Sequence, residues 1–275
     1  MNSQATPTAL RSQARTVLRP ATFLDAVASE WIKIRTHRGV LLALLFGILI
    51  TVAAGANNTS ATVNDVRAGG AIGNSGSLIW TTQFGMKFGV IAFAVAGALA
   101  MTSEYSSGMI RSSLSAVPSR GRLLAAKATA FTAAALAASL TASAASYAIG
   151  SSLLSGTGEH LSLDDPGVLR AVIGGGFFLA TAGLLSLTLG AVLRNPVATV
   201  SAVFALILPI PGILGPDLGR RTPFEGGIAF TLADNPGPSL PLSDSATAWT
   251  GYLTLLAWTA ATAAAAYTVM KGRDA

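Results

Sequence analysis

The chain has 275 residues, 51% of them hydrophobic and only 11% charged, with a net charge of +6. A soluble domain carries about 25% charged residues, so water is not the main solvent of this surface. There are no cysteines, which excludes disulfides, thiolate zinc sites and cysteine nucleophiles, and the two histidines, His37 and His160, do not make a multi-histidine metal site.

Residues 1–20 hold three Arg among Ser and Thr, with no acid and no apolar core. A cleaved secretory signal needs such a core, so this stretch is expected to be a disordered cytoplasmic tail. Residues 21–275 read as one membrane domain. The segment ATFLDAVASEWIKIRTHR follows the tail, with Phe23, Leu24, Val27, Trp31 and Ile34 recurring at helical spacing. Asp25, Glu30, Lys33, Arg35 and Arg38 fall largely elsewhere. This pattern predicts an amphipathic helix in the membrane interface, with Glu30 and Lys33 on a polar face open to a protein partner.

A membrane span needs about 20 mostly apolar residues. Six stretches qualify, near 39–57, 80–103, 128–154, 169–193, 197–215 and 247–270. The second contains Lys87, an outer-third lysine that either snorkels to the headgroups or contacts a substrate or lipid. Beside it the Gly85 and Gly89 spacing permits close helix packing. The third is rich in Ala, Ser and Thr, but no charge lies between Lys127 and Glu159. A soluble helix would carry charges on its polar face.

Between spans two and three, SEYSSGMIRSSLSAVPSRGRLLAAK is about three times longer than the 2–8 residues of most helix connections. Met109, Ile110 and Leu114 predict a short helix that ends before Pro118, with residues 119–122 turning the chain back. Such a helix, held below the membrane by two spans, is a lever for a soluble partner. The segment at 215–244 is rich in Gly and Pro and is expected to be irregular and exposed.

Orientation follows the Lys and Arg of the flanks. Thirteen lie on the side of both termini (Arg11, Arg15, Arg19, Lys33, Arg35, Arg38, Arg111, Arg120, Arg122, Lys127, Arg194, Lys271, Arg273), against four opposite (Arg67, Arg170, Arg220, Arg221). The basic side is therefore expected to be cytoplasmic. Its charge faces anionic lipid and a cytoplasmic partner rather than nucleic acid. The fold class expected is all-α, a multi-pass membrane protein of six transmembrane helices with both termini inside.

The missing motifs narrow the chemistry. None of the four lysines, Lys33, Lys87, Lys127 and Lys271, follows a glycine, so no Walker phosphate-binding loop exists. HExxH, GxSxG and GxGxxG are also absent, and no predicted span contains an Asp or Glu. The chain is not expected to be an enzyme or to bind a metal.

The order of elements resembles the permease subunits of ABC-2 type ABC transporters. The residues that carry the likeness are Glu30, Trp31 and Lys33, then Glu104, Tyr105, Gly108, Ile110, Arg111, Pro118, Arg120 and Lys127, and the likeness covers Thr22–Arg273. The resemblance implies a transmembrane exporter half in a bacterial cytoplasmic membrane, pairing with a second permease half and with cytoplasmic ATPase subunits. ATP and Mg would bind those subunits and not this chain. Glu30, Trp31, Lys33, Arg35, Glu104, Tyr105, Gly108, Ile110, Arg111 and Arg120 would serve ATPase coupling, and the cargo would be amphipathic. The competing readings are an ion-coupled carrier or channel, which would need Lys87, and a membrane-embedded hydrolase, which lacks its carboxylates.

Overall fold

The computed structural model describes residues 22–70, 75–116, 119–158, 160–207, 222–223 and 248–272. Every regular element among them is helical. Helix α1 spans Phe23–Thr36. It begins where it does because the Thr22 hydroxyl accepts from the Asp25 N–H while the Asp25 carboxylate accepts from the Thr22 N–H, a capping box. The Thr22 hydroxyl also donates to the Asp25 carboxylate at 2.7 Å, and this bond with the one from the Thr22 amide holds the Asp25 carboxyl below its ordinary range. His37 then ends α1 and starts the next helix, its Nδ1 accepting from the Val40 N–H at 3.2 Å.

The remaining helices are α2 (Arg38–Arg67), α3 (Ser75–Gln83), α4 (Met86–Ser106), α5 (Met109–Ala116), α6 (Arg120–Leu154), α7 (Val168–Leu193), α8 (Pro196–Ile207) and α9 (Ala248–Gly272). Five of them, α2, α4, α6, α7 and α9, are long and apolar enough to cross a membrane. This is a multi-pass helical membrane protein. Helices α4 and α7 are its centre, with 67% and 72% of their most apolar stretch buried, against 28% for α2 and 22% for α9.

The second expected span is not one helix. It breaks at residues 84–85 into α3 and α4, where the chain packs tightly on α2. Gly85 lies so close to α2 that a Cβ there would overlap the Thr51 carbonyl. Gly89, one turn on, meets the Thr51 hydroxyl. The break is held from the other side by the Gln83 amide, which donates to the Ser143 carbonyl at 3.2 Å, and by Ser146, which donates to the Thr82 carbonyl at 2.7 Å. Hydroxyl and amide partners of this kind satisfy backbone groups released where a membrane helix is interrupted.

The fifth expected span is α8, described over 12 residues and about 18 Å long; its expected continuation to 215 lies outside the described residues. So do the expected tail at 1–20, Pro118 and the segment at 215–244 apart from Thr222 and Pro223, which are buried rather than exposed as expected.

Helices α7 and α9 run parallel. Thr181 bonds Tyr252 at 2.9 Å, and further along both helices Thr188 bonds Thr262 at 2.7 Å. The start of α6 meets the end of α9, where Arg120 donates to the Met270 carbonyl. The same end of the bundle receives α1. Thr22 and Gly272, the outermost described residues, therefore belong to one end of the molecule.

Candidate functional site: a buried four-charge junction

At that end, four charged side chains from three helices meet. Glu30 comes from α1, Glu104 from the last turns of α4 and Lys127 from the third turn of α6, all at most 3% exposed; Lys33, also on α1, is partly exposed. The Lys127 ammonium donates to Glu30 Oε2 at 2.5 Å and to Glu104 Oε1 at 2.7 Å. The Lys33 ammonium donates to Glu30 Oε1 at 2.6 Å and to Glu104 Oε1 at 2.9 Å. Its third bond, at 2.9 Å, goes to the Ser113 hydroxyl of α5. Two carboxylates and two ammoniums thus alternate, and the junction is neutral as a unit.

Helical spacing explains the arrangement. Ala26, Glu30 and Ile34 recur every fourth residue and form the buried side of α1, since residues four apart share a face. Leu24, Trp31, Ile32 and Arg35 are exposed on the other side. This corrects the sequence-based face assignment. Glu30 points into the protein rather than toward a partner, and part of the apolar surface, Leu24 at 75% and Ile32 at 62% exposure, points out. A buried carboxylate is costly unless paired, and both lysines lie on the inner side.

Helix α5 forms where its pattern predicts, but of the apolar face expected from Met109, Ile110 and Leu114 only Ile110 is buried among the described side chains, which do not include Leu114. Ile110, 5% exposed, packs with Ala26, Leu123 and Ala126, and Ser113 one turn later reaches Lys33. Met109 and Ser112 are exposed. Gly108 before it has φ +70°, a left-handed turn that glycine adopts without strain. Tyr105 stacks under the guanidinium of Arg194, 5.2 Å from the ring centre. Arg194 itself ends α7 with φ 55°. Arg120, on the first turn of α6, belongs to the Met270 contact and not to the four-charge junction. The Arg111 side chain lies outside what is described.

Burial pulls the Lys33 ammonium down, but Glu30 and Glu104 outweigh it and its pKa lies above the ordinary lysine value. A raised lysine stabilises the fold below its unfolded value, and that contribution is lost as pH rises through the raised one. The contribution of Lys33 to the attachment of α1 is therefore fully present at neutral pH and is lost in strong alkali. A cavity of about 190 Å³ adjoins the junction, walled by Lys33, His37, Ser103 and Glu104 over an apolar floor of Ile34, Val40 and Ala100. Glu104 Oε2 has no hydrogen-bond partner.

No protein-family model matches the chain, and no curated protein matches it. The chemistry of the site therefore rests on its geometry. Among the described residues no group of three metal-ligating side chains exists. The carboxylates of the junction are neutralised by lysines, which suits neither metal binding nor acid–base work on a substrate. What it can do is mechanical, since one set of ion pairs ties α1, α4 and α6 together and fixes α5 beneath them.

Sequence reasoning named Glu30, Lys33 and Glu104 and brought them to one surface, but it left Lys127 and Ser113 out of the site. A signal existed for Lys127. It is the last charge before a long uncharged stretch, and a charge at the edge of an apolar helix either snorkels to the interface or pairs. Nothing in the pattern of α5 singles out Ser113 from its neighbouring serines.

Lys87 is remote from this junction, 17 residues before Glu104 on α4, or about 26 Å along the helix. Its ammonium lies over the rings of Trp80 and Phe84, 4.4 and 4.8 Å from their centres. Cation–π contacts are worth from about 0.5–1 kcal/mol at exposed sites to about 2 kcal/mol or more when desolvated, so Lys87→Met, at a half-buried site, is expected to lower the unfolding temperature measurably. A much larger loss would show that Lys87 holds the break between α3 and α4.

Proposed function

We propose that the chain is the membrane-embedded permease half of an ATP-driven exporter of ABC-2 type, coupled to a separate ATPase through α1 and α5. The observation that carries this reading is the four-charge junction. A short amphipathic helix with a solvent-facing side is held to α1 and α6 by Ile110 and to Lys33 of α1 by Ser113, and Lys33 is tied in turn to Glu104 of α4. A push on α5 then moves α4 and α6 instead of bending a loop. In this reading Glu30, Lys33 and Glu104 transmit force from inside, while Trp31, Arg35, Met109 and Ser112 are placed to meet the ATPase.

Six crossings belong to the same proposal. Since α7 and α9 are parallel, the chain between them has to return across the membrane, and α8 is the apolar helix available to start that return. The cysteine-free sequence makes the topology directly testable. Ser112 and Ser162 are both exposed, at opposite ends of the bundle. A Ser162→Cys variant is expected to react with a membrane-impermeant maleimide on intact cells. Ser112→Cys is expected to react only after permeabilisation. Labelling of both from outside would sink the topology.

Partnership is tested by the same Ser112→Cys variant, cross-linked in native membranes with a short bifunctional reagent and identified by mass spectrometry. A partner carrying a Gly-Lys-Ser/Thr phosphate-binding loop supports the reading. The carrier alternative predicts instead that Lys87→Met abolishes transport while the fold persists.

A further inference from the structure

Among the described residues, Arg194 is the one residue other than glycine with a positive φ, at 55° with ψ 15°. A side chain disfavours this left-handed region because its Cβ crowds the carbonyl oxygen, and helices that end in it usually place glycine there. The other described residues with positive φ, Gly69, Gly108, Gly158 and Gly167, follow that rule. Arg194 stands where α7 ends, directly before Asn195, whose side-chain carbonyl accepts from the Ala198 N–H at 3.0 Å and caps the start of α8. A two-residue turn therefore joins a central helix to α8, and the first of the two residues is strained.

A second cost falls on the same residue. Arg194 Nε is buried with no hydrogen-bond partner among the described residues, and a buried unpaired donor is destabilising. Attraction of a cation to the C-terminal end of a helix accounts for neither cost, since an arginine elsewhere in the last turn obtains it in ordinary helical geometry. The contact that remains is with α4. The guanidinium lies over the Tyr105 ring, 5.2 Å from its centre, and such contacts strengthen as they are desolvated. Tyr105 directly follows Glu104 in the last turn of α4, so the ring rides on the helix end that the charged junction holds.

We propose that Arg194 is a positioning residue, a strained clasp that holds the turn between α7 and α8 against the end of α4. Displacement of Glu104 then carries Tyr105, Arg194 and the start of α8 with it, whereas a relaxed turn would let α8 lag behind. The clasp rests on the helical fold alone; its use in ATP-driven movement rests on the function proposed above.

The test uses a nitroxide attached through Val197→Cys, 73% exposed on the first turn of α8, in the otherwise cysteine-free full-length chain. By electron paramagnetic resonance, Tyr105→Leu is expected to raise the mobility of this label from a different helix. Tyr105→Phe, which keeps the ring, is expected to leave it unchanged, and Tyr105→Leu is expected to add nothing in an Arg194→Gly background. Thermal unfolding reads the strain. Arg194→Gly is expected to unfold about 2–4 °C above Arg194→Ala, since both lose the ring contact and only glycine relaxes the turn. With the co-purified ATPase bound, Mg-ATP is expected to change the label's spectrum in the Arg194 chain and not in Arg194→Gly.

A label indifferent to Tyr105→Leu would overturn the clasp, as would an effect of Tyr105→Leu that persists in Arg194→Gly, or Arg194→Ala unfolding at or above Arg194→Gly. A spectrum that ignores Mg-ATP while the ATPase is bound would overturn its use in movement. A chain that carries no ATPase would count against the exporter reading instead, and the clasp is then decided by the mobility and unfolding results.

Discussion

Lys127→Met is expected to destabilise the protein more than any other single substitution in the charged junction, by about 3–5 kcal/mol. The mutation leaves Glu30 and Glu104, both buried, with only Lys33 between them. Removing one partner of a buried pair costs more than the pair contributes, because the remaining charge is stranded in a poor solvent. Neutralising the second group reverses part of that loss. Lys127→Met combined with Glu104→Gln leaves a balanced Glu30–Lys33 pair, so its cost is expected to fall below that of the two single changes added together. Thermal unfolding in detergent, run as a double-mutant cycle, measures the difference. Additive costs within about 0.5 kcal/mol would show that the two side chains do not act as a unit.

The second large effect is expected at the centre of the bundle. A Cβ at Gly97 of α4 would overlap the Gly183 carbonyl of α7, and a carbonyl cannot rotate out of the way as a side-chain tip can. Gly97→Val therefore forces the two most buried helices apart. Its cost is expected at or above the upper end of the about 1–3 kcal/mol usual for overpacking. Gly272→Ala is the control, since nothing lies within 4 Å of a Cβ there. Similar unfolding temperatures for the two variants would mean that α4 and α7 do not meet as described.

The contrast between these residues shows what the sequence made legible. Long apolar stretches without charge located α7 and α9 within two residues of their ends, but α2 runs ten residues past the expected 57 and α6 starts eight before the expected 128, because hydrocarbon thickness sets only the least length of a span. The position of α5 was legible from its amphipathic pattern. The break at residues 84–85 was not, since nothing local distinguishes a glycine that permits close packing, as Gly85 does against the Thr51 carbonyl, from one that interrupts a helix. The inward turn of Glu30 was hidden likewise. On a helix wheel it reads as solvent-facing, and its burial is tolerable because Lys33 and, nearly a hundred residues later, Lys127 pair with it. Charge position along the chain was readable, but charge pairing across it was not.

The proposal that this bundle is driven by a separate ATPase is tested most directly by purifying the tagged chain from its own membranes in mild detergent and measuring Mg-ATP hydrolysis. The account predicts that a Walker-motif subunit co-purifies and hydrolyses ATP. It also predicts that Ser112→Arg, on the exposed side of α5, removes that subunit while leaving the unfolding temperature unchanged. A chain that purifies without an ATPase and still supports transport after ATP is exhausted would contradict it.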